Sequence, residues 1–421
     1  MHIFYQIDNQ FLAVATLIIF CATYAGLAAG RVWGLKLDRT AIVLLGAIAM
    51  LALGCISLKK AVDSVNFETM LLLFSLMVIS AQLHYAGFYH KVADRISSRL
   101  DRPVYFLALL MVTSGILSAF LNNDVICLAF TPVVAVALLR KRLNPVPFLV
   151  GLALSSNIGC ALTLIGNAQN VLVGQVGHLS FGGYMLWAAL PVTLSMAGAF
   201  GIIYLLGRRS FYLAENEIVP GQPEDTTPFD NWRTTKGLGM ICIIVILFFT
   251  PLPRYLVALA GAGLLLCSQR LQSKKVLTLV DWQILLLFMS LFVVVGAFYN
   301  SGMAAPMLHL LETCGIDLHN SCILALVTGV LSNLINNSAA VMLLVKLLDF
   351  SSPVNGYVLA VANSFAGNMF IIGSVANIIM MQEAETCGVK ISFREFARYG
   401  VPTTIFSFGI LMLWICVTPL F

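Results

Sequence analysis

Apolar residues in this chain come in long runs separated by short polar clusters. They lie at roughly 11–30, 40–58, 67–86, 104–139, 146–174, 183–206, 237–251, 255–268, 283–300, 321–348, 356–382 and 400–419. A crossing helix needs about 20 apolar residues, so the pattern predicts an all-α polytopic membrane protein with about ten transmembrane helices. Two runs do not fit one crossing. Those at 104–139 and 321–348 are each about two short helices long, interrupted only by Leu-Asn-Asn-Asp at 121–124 and Ile-Asn-Asn-Ser at 335–338. Neither interruption is long or charged enough for a surface loop, so each run is read as a re-entrant hairpin returning to the side it left.

The pattern also repeats. The stretch 65–76, VNFETMLLLFSL, resembles 280–291, VDWQILLLFMSL, at an offset of 215. SAFLNNDV at 118–125 matches SNLINNSA at 332–339, offset 214, and 152–173 matches 359–380, offset 207. Three collinear blocks make chance similarity improbable. The sequence therefore divides into N-terminal scaffold helices (1–60), a first repeat (61–207), a polar cytoplasmic linker (208–236), further scaffold helices (237–275) and a second repeat (276–421).

Composition and charge sharpen this. Of 421 residues 60% are hydrophobic and 10% charged, against roughly 25% charged in a soluble domain. A soluble globular protein is excluded. The net charge of +5 says less than its placement, because membrane proteins sort charge by side. With both termini outside, 20 of the 24 Lys and Arg fall on the cytoplasmic side. Lys59, Lys60, Arg254 and Lys346 stay outside. That bias sets a multi-pass orientation in a bacterial-type inner membrane and gives the two repeats opposite directions. Inverted repeats are the architecture of secondary transporters, with substrate held near the midplane where the repeats meet. The opening MHIFYQIDNQ has no basic segment, so no cleavable signal is expected.

The candidate chemistry sits where polar residues interrupt the apolar runs. Asn122, Asn123 and Asp124 form the first hairpin tip, and Asn336, Asn337 and Ser338 the second. A chain turning inside a bilayer frees backbone groups that must be satisfied by protein or by a wet cavity, which asparagine does well. Recurrence at matching places in both repeats favours a binding role over simple capping. A second pair is Gly166, Asn167 and Asn170 against Gly373, Ser374 and Asn377, each midway along an apolar run longer than a span needs. Gly followed by a small polar residue is where such a helix can unwind, pointing half-helix ends at a substrate. Thr163, with Ser155, Ser156 and Asn157, and Asn363, Ser364 and Asn368 in the second copy, either line the same cavity or bond between helices.

Asp124 is the one acid well inside an apolar run. A carboxylate at the bilayer centre costs on the order of 2.5–3.5 kcal/mol and by default marks an ion or proton pathway. It is the candidate proton-coupling group. Cys127 and Cys160 lie near these motifs, where buried Cys is most often plain packing. The ten Cys are scattered singly, so no metal cluster and no cofactor is expected. No HExxH, Walker A or GxSxG motif occurs, so the chain does not read as an enzyme. The basic residues follow the sidedness pattern and leave no face for nucleic acid.

LNNDVICLAFTPVV, IGNAQN, INNSAAVMLL and IGSVAN resemble the ion transporter superfamily, particularly its ArsB/NhaD and citrate-transporter-like branches, over about 40–420. The resemblance implies two hairpins and two unwound helices around a substrate and ion site, at Asn122, Asn123, Gly166, Asn170, Asn336, Asn337, Gly373 and Asn377. It implies an elevator-like motion of that part against a scaffold. The N-N-D tip followed by Thr131-Pro132 is similar to the arsenite efflux branch, which would add a soluble ATPase as partner; a homodimer is the assembly expected. Neither tip carries the Ser-Asn-Thr of sodium-dicarboxylate carriers.

Three functions remain open at this point. One is proton-coupled export of arsenite or antimonite, neutral oxyacids that need hydrogen bonds and no cation. Another is Na⁺- or H⁺-coupled carriage of a small anion such as a dicarboxylate or sulfate. The third is an uncoupled pore.

Overall fold

A computed structural model of the protein describes residues 2–29, 37–212, 229–267 and 273–418. Among these residues every regular element is a helix, apart from one isolated bridge between Leu143 and Tyr212. The middle of the expected linker, 213–228, lies outside the described residues.

The first half contains α1 (His2–Ala29), α2 (Arg39–Ala52), α3 (Leu58–Ser64), α4 (Phe67–Tyr85) and α5 (Phe88–Ser97). It continues with α6 (Pro103–Leu121), α7 (Asn123–Arg140), α8 (Pro145–Cys160), α9 (Ala168–Val176) and α10 (Phe181–Gly207). The second half repeats the series with α11 (Asn231–Leu247), α12 (Arg254–Leu266), α13 (Ser273–Leu277), α14 (Trp282–Asn300) and α15 (Ala304–Thr313). It ends with α16 (Ser321–Ile335), α17 (Asn337–Leu347), α18 (Pro353–Ala366), α19 (Val375–Thr386) and α20 (Phe393–Val417). Among the described residues seven stretches are long and apolar enough to cross a membrane: 11–29, 67–85, 103–121, 123–140, 181–210, 282–300 and 393–417. Two of them, α6 and α7, are the arms of the first hairpin.

Local sequence sets the element ends. Asn66 and Asp281, at matching places in the repeats, cap α4 and α14 by accepting from the N–H groups of Thr69 and Ile284. Pro103, Pro145 and Pro353 open α6, α8 and α18, where a missing N–H costs nothing. The expected unwinding is present in both copies: residues 161–167 separate α8 from α9, and 367–374 separate α18 from α19.

The repeat runs further toward the N-terminus than the three sequence blocks. Arg39 and Arg254, 215 residues apart, are the first residues of α2 and α12. Gly46 and Gly261 keep the same offset, and each lies against the preceding helix, at Thr23 on α1 and Ile244 on α11. The halves interlock, with α2 packed on α14 and α12 on α4.

Packing sorts the helices into two bodies. One contains α1–α4 and α11–α14; the other contains α5, both hairpins, both broken helices, α10 and α20. Between the bodies only α1, α4 and α14 make substantial contacts, with α16, with α9 and α5, and with α17.

Candidate functional site

Each hairpin turns on one asparagine. Asn122 and Asn336 have φ of 70° and 88° with ψ of 124° and 147°, outside the left-handed helical region and strained for any residue with a Cβ. Each then caps the following arm: Oδ1 of Asn122 accepts from the Asp124 N–H, and Oδ1 of Asn336 from the Ser338 N–H, both at 3.2 Å. The arms are tied to the neighbouring broken helices by equivalent bonds, Ser118 to Ser156 at 2.6 Å and Ser332 to Asn363 at 2.9 Å.

The breaks follow one design. Asn170 Nδ2 donates to the carbonyls of Cys160 and Thr163, both at 3.1 Å. Asn377 Nδ2 donates to those of Gly367 at 2.7 Å and Phe370 at 3.2 Å. In both copies the amide reaches 10 and 7 residues back and satisfies carbonyls that the unwinding freed. Gly166 is required by close approach: a Cβ there would lie 2.2 Å from the Cys160 carbonyl oxygen. The first hairpin tip closes onto this break, with the Asn123 N–H bonded to Gly166 O at 3.2 Å.

Four bonds, in two equivalent pairs, join the two broken helices. Asn157 donates to Asn377 Oδ1 at 2.9 Å, and its counterpart Ser364 donates to Asn170 Oδ1 at 3.4 Å. Ser374 donates to Asn157 Oδ1 and Asn167 to Ser364 Oγ, both at 3.1 Å. Asn123 Nδ2 adds a bond to Asn157 Oδ1 at 2.9 Å.

Inside this ring is a cavity lined by Asn123, Asp124, Asn157, Cys160, Asn167, Gln169, Asn337, Ser364, Ser374 and Val375. It leaves about 10 Å³ for the centre of a water-sized body, the room one water needs. Within this lining two buried acceptors face no donor among the described residues: Asn123 Oδ1 and Asn337 Oδ1, at equivalent positions of the two tips. Gln169 donates to Ser338 at 2.7 Å and ties the first break to the second tip. The lining has one carboxylate, Asp124, and no Lys, Arg or His.

Of the sequence candidates, Asn123, Asp124, Asn167, Asn337 and Ser374 meet in the cavity. Asn122 and Asn336 shape the tips, and Asn170 and Asn377 hold the breaks. Thr163 donates to the Ala119 carbonyl, and Ser338 is bonded to Gln169. Gly166 and Gly373 sit in the breaks themselves. Asn157, Ser364 and Cys160 line the cavity, as three of the secondary candidates. Gln169 was not singled out by sequence, because its counterpart in the second repeat is Ala376 and the repeat signal hides it.

A hairpin-and-broken-helix core built twice in one chain invites comparison with known carriers, and the profile of the CitMHS citrate transporter family matches residues 16–362. The chain belongs to this family. It is a multi-pass membrane transporter of the CitMHS/ArsB-like group. It is 27% identical to the "46 kDa membrane protein" of Mycobacterium leprae, over 96% of this chain and 99% of that one. It is also similar to the silicon efflux transporter LSI3 of Oryza sativa, at 24% identity over 88% and 91% of the two chains. The putative transporter arsB of Dictyostelium discoideum is 20% identical, over 88% and 86%. Among solved structures, the YdaH transporter of Alcanivorax borkumensis shares the fold. Its TM-score is 0.57 at 14% identity, covering 97% and 98% of the chains.

Proposed function

We propose that the chain is a secondary active exporter of a small neutral metalloid oxyacid of the arsenite or antimonite type, driven by proton antiport. The observation that carries this reading is the cavity lining. Amides and hydroxyls donate and accept along a path with no cationic side chain, and the one charged group is an acid. A trihydroxide needs such a lining and no counter-charge. Asp124 lies in the first turn of α7 with no donor to its carboxylate among the described side chains, where it can carry the coupling proton.

The core body moves against the α1–α4 and α11–α14 body as an elevator, because few helices connect the two while each is tightly packed within itself. The cytoplasmic side is the one bearing the bulk of the basic residues.

A second reading, a Na⁺- or H⁺-coupled carrier of a small anion, draws support from the family and from the N-termini of α9 and α19 at the site, which favour negative charge. Everted vesicles separate the two. Arsenite or antimonite accumulation driven by a pH gradient and indifferent to Na⁺ supports the first. Accumulation of a dicarboxylate or citrate alone, or strict Na⁺ dependence, overturns it.

A further inference from the structure

The two halves are built alike, yet the core body docks on the scaffold unequally. The break at 161–167 is covered by α4, with Ile165 in a pocket beside Leu73, Leu76 and Met77. Its counterpart is not covered by α14. Ile165 is 4% exposed and Ile372, at the same place in the second break, is 45% exposed. Instead, α14 lies against α17 of the second hairpin. A chain with two equivalent halves has, for every unequal docking, a mirror docking made from the counterpart contacts.

Two arginines mark the ends of that exchange. Arg39 donates through Nη2 to the carbonyl of Ile372 at 3.5 Å, and its Nη1 is buried without a partner. Arg254, its counterpart, donates to the carbonyl of Leu179, beyond the far end of α9. Each therefore holds the core by a backbone carbonyl, one at a break and one past a half-helix.

We propose that Arg39 and Arg254 are alternating positioning residues: Arg39 holds the second break in this state, and Arg254 holds the first break, at the Ile165 carbonyl, in the opposite state. The inference rests on the elevator reading above. In the opposite state Ile372 packs against Phe288, Leu291 and Phe292, the α14 counterparts of the α4 residues that now cover Ile165. Arg254 trades Leu179 for Ile165, which lie at opposite ends of the nine-residue α9. At 1.5 Å per residue α9 is about 13 Å long, which sets the scale of the core's travel.

The test reads thiol accessibility. Ile165→Cys and Ile372→Cys are placed singly in a background whose exposed native cysteines are replaced, and labelled with maleimide in membranes. The thiol at position 372 should react quickly and the one at 165 slowly. By the same mirror rule Arg39 takes the carbonyl of Thr386, the counterpart of Leu179, in the opposite state, so each arginine holds the core in both states and the exchange is read by proximity. The pair Arg39→Cys with Ile372→Cys should bridge quickly with a short bis-maleimide, because the parent residues touch now. The pair Arg254→Cys with Ile165→Cys comes within reach only in the opposite state, and should bridge more slowly in working membranes.

An Arg254→Cys with Ile165→Cys pair that does not bridge, while the Arg39→Cys with Ile372→Cys pair does, overturns the exchange. The elevator reading is tested separately by transport in the bridged Arg39→Cys with Ile372→Cys variant. Transport that continues at the rate of the unbridged double variant removes the elevator itself, whether or not the other pair bridges.

Discussion

Asn157 on α8 donates to the side chain of Asn377 on α19 at 2.9 Å, across 220 residues of sequence. Asn377 passes its own two N–H bonds to the carbonyls that its helix break leaves open. One repeat's polar interior is thus anchored in the other repeat's unwound segment. A bond between breaks also ties the shape of the cavity to the relative position of the repeats.

Asn377→Ala should destabilise the protein by about 2–3 kcal/mol, because it leaves buried carbonyls without donors. Asn170→Ala removes the equivalent pair and should cost a similar amount. Thermal unfolding in detergent measures both. A loss under about 0.5 kcal/mol at each, below what one hydrogen bond is worth, would mean that water satisfies the breaks instead.

At the tips, replacement by glycine and by alanine should differ. Asn122→Gly keeps access to φ 70° and loses only the cap. Asn122→Ala loses the cap and adds backbone strain, on the order of 1 kcal/mol more. The same order should hold at Asn336. Equal midpoints for Gly and Ala would show that the turn relaxes on substitution.

Gly166→Ala should fail to give folded, inserted protein, because the new methyl has no room beside the Cys160 carbonyl. Gly239 on α11 has nothing within 4 Å of its Cβ position, so Gly239→Ala should be near neutral. Monodispersity in size-exclusion chromatography distinguishes the two.

Asp124→Asn keeps the size of the side chain and cannot titrate. It should retain substrate binding and exchange and lose accumulation driven by a pH gradient. Parent-like pH-driven accumulation would move the coupling ion elsewhere, with Na⁺ the next candidate. Asn123→Ala and Asn337→Ala should abolish transport while leaving the protein folded, since each removes an acceptor that faces the cavity.

The sequence by itself determined the class, the repeats, the hairpins and the breaks. Those features are written in local signals: long apolar runs, the paired Asn-Asn tips, and Gly followed by a small polar residue midway along an overlong run. Bilayer physics leaves few structures compatible with such signals, because every backbone group at depth must find a partner. What only the tertiary structure decided is which asparagines face the cavity. Asn122 and Asn123 are neighbours in one motif, yet one caps a helix and the other lines the cavity. Asn167 lines the cavity and also caps α9, whereas Asn170 bonds the carbonyls of the break. Gln169 shows the limit from the other side, since the symmetry that exposed the other candidates gave no reason to choose it. The unequal docking of Ile165 and Ile372 was equally invisible. Two equivalent sequences carry no record of which half a scaffold covers, since that depends on how two packed bodies rest against each other.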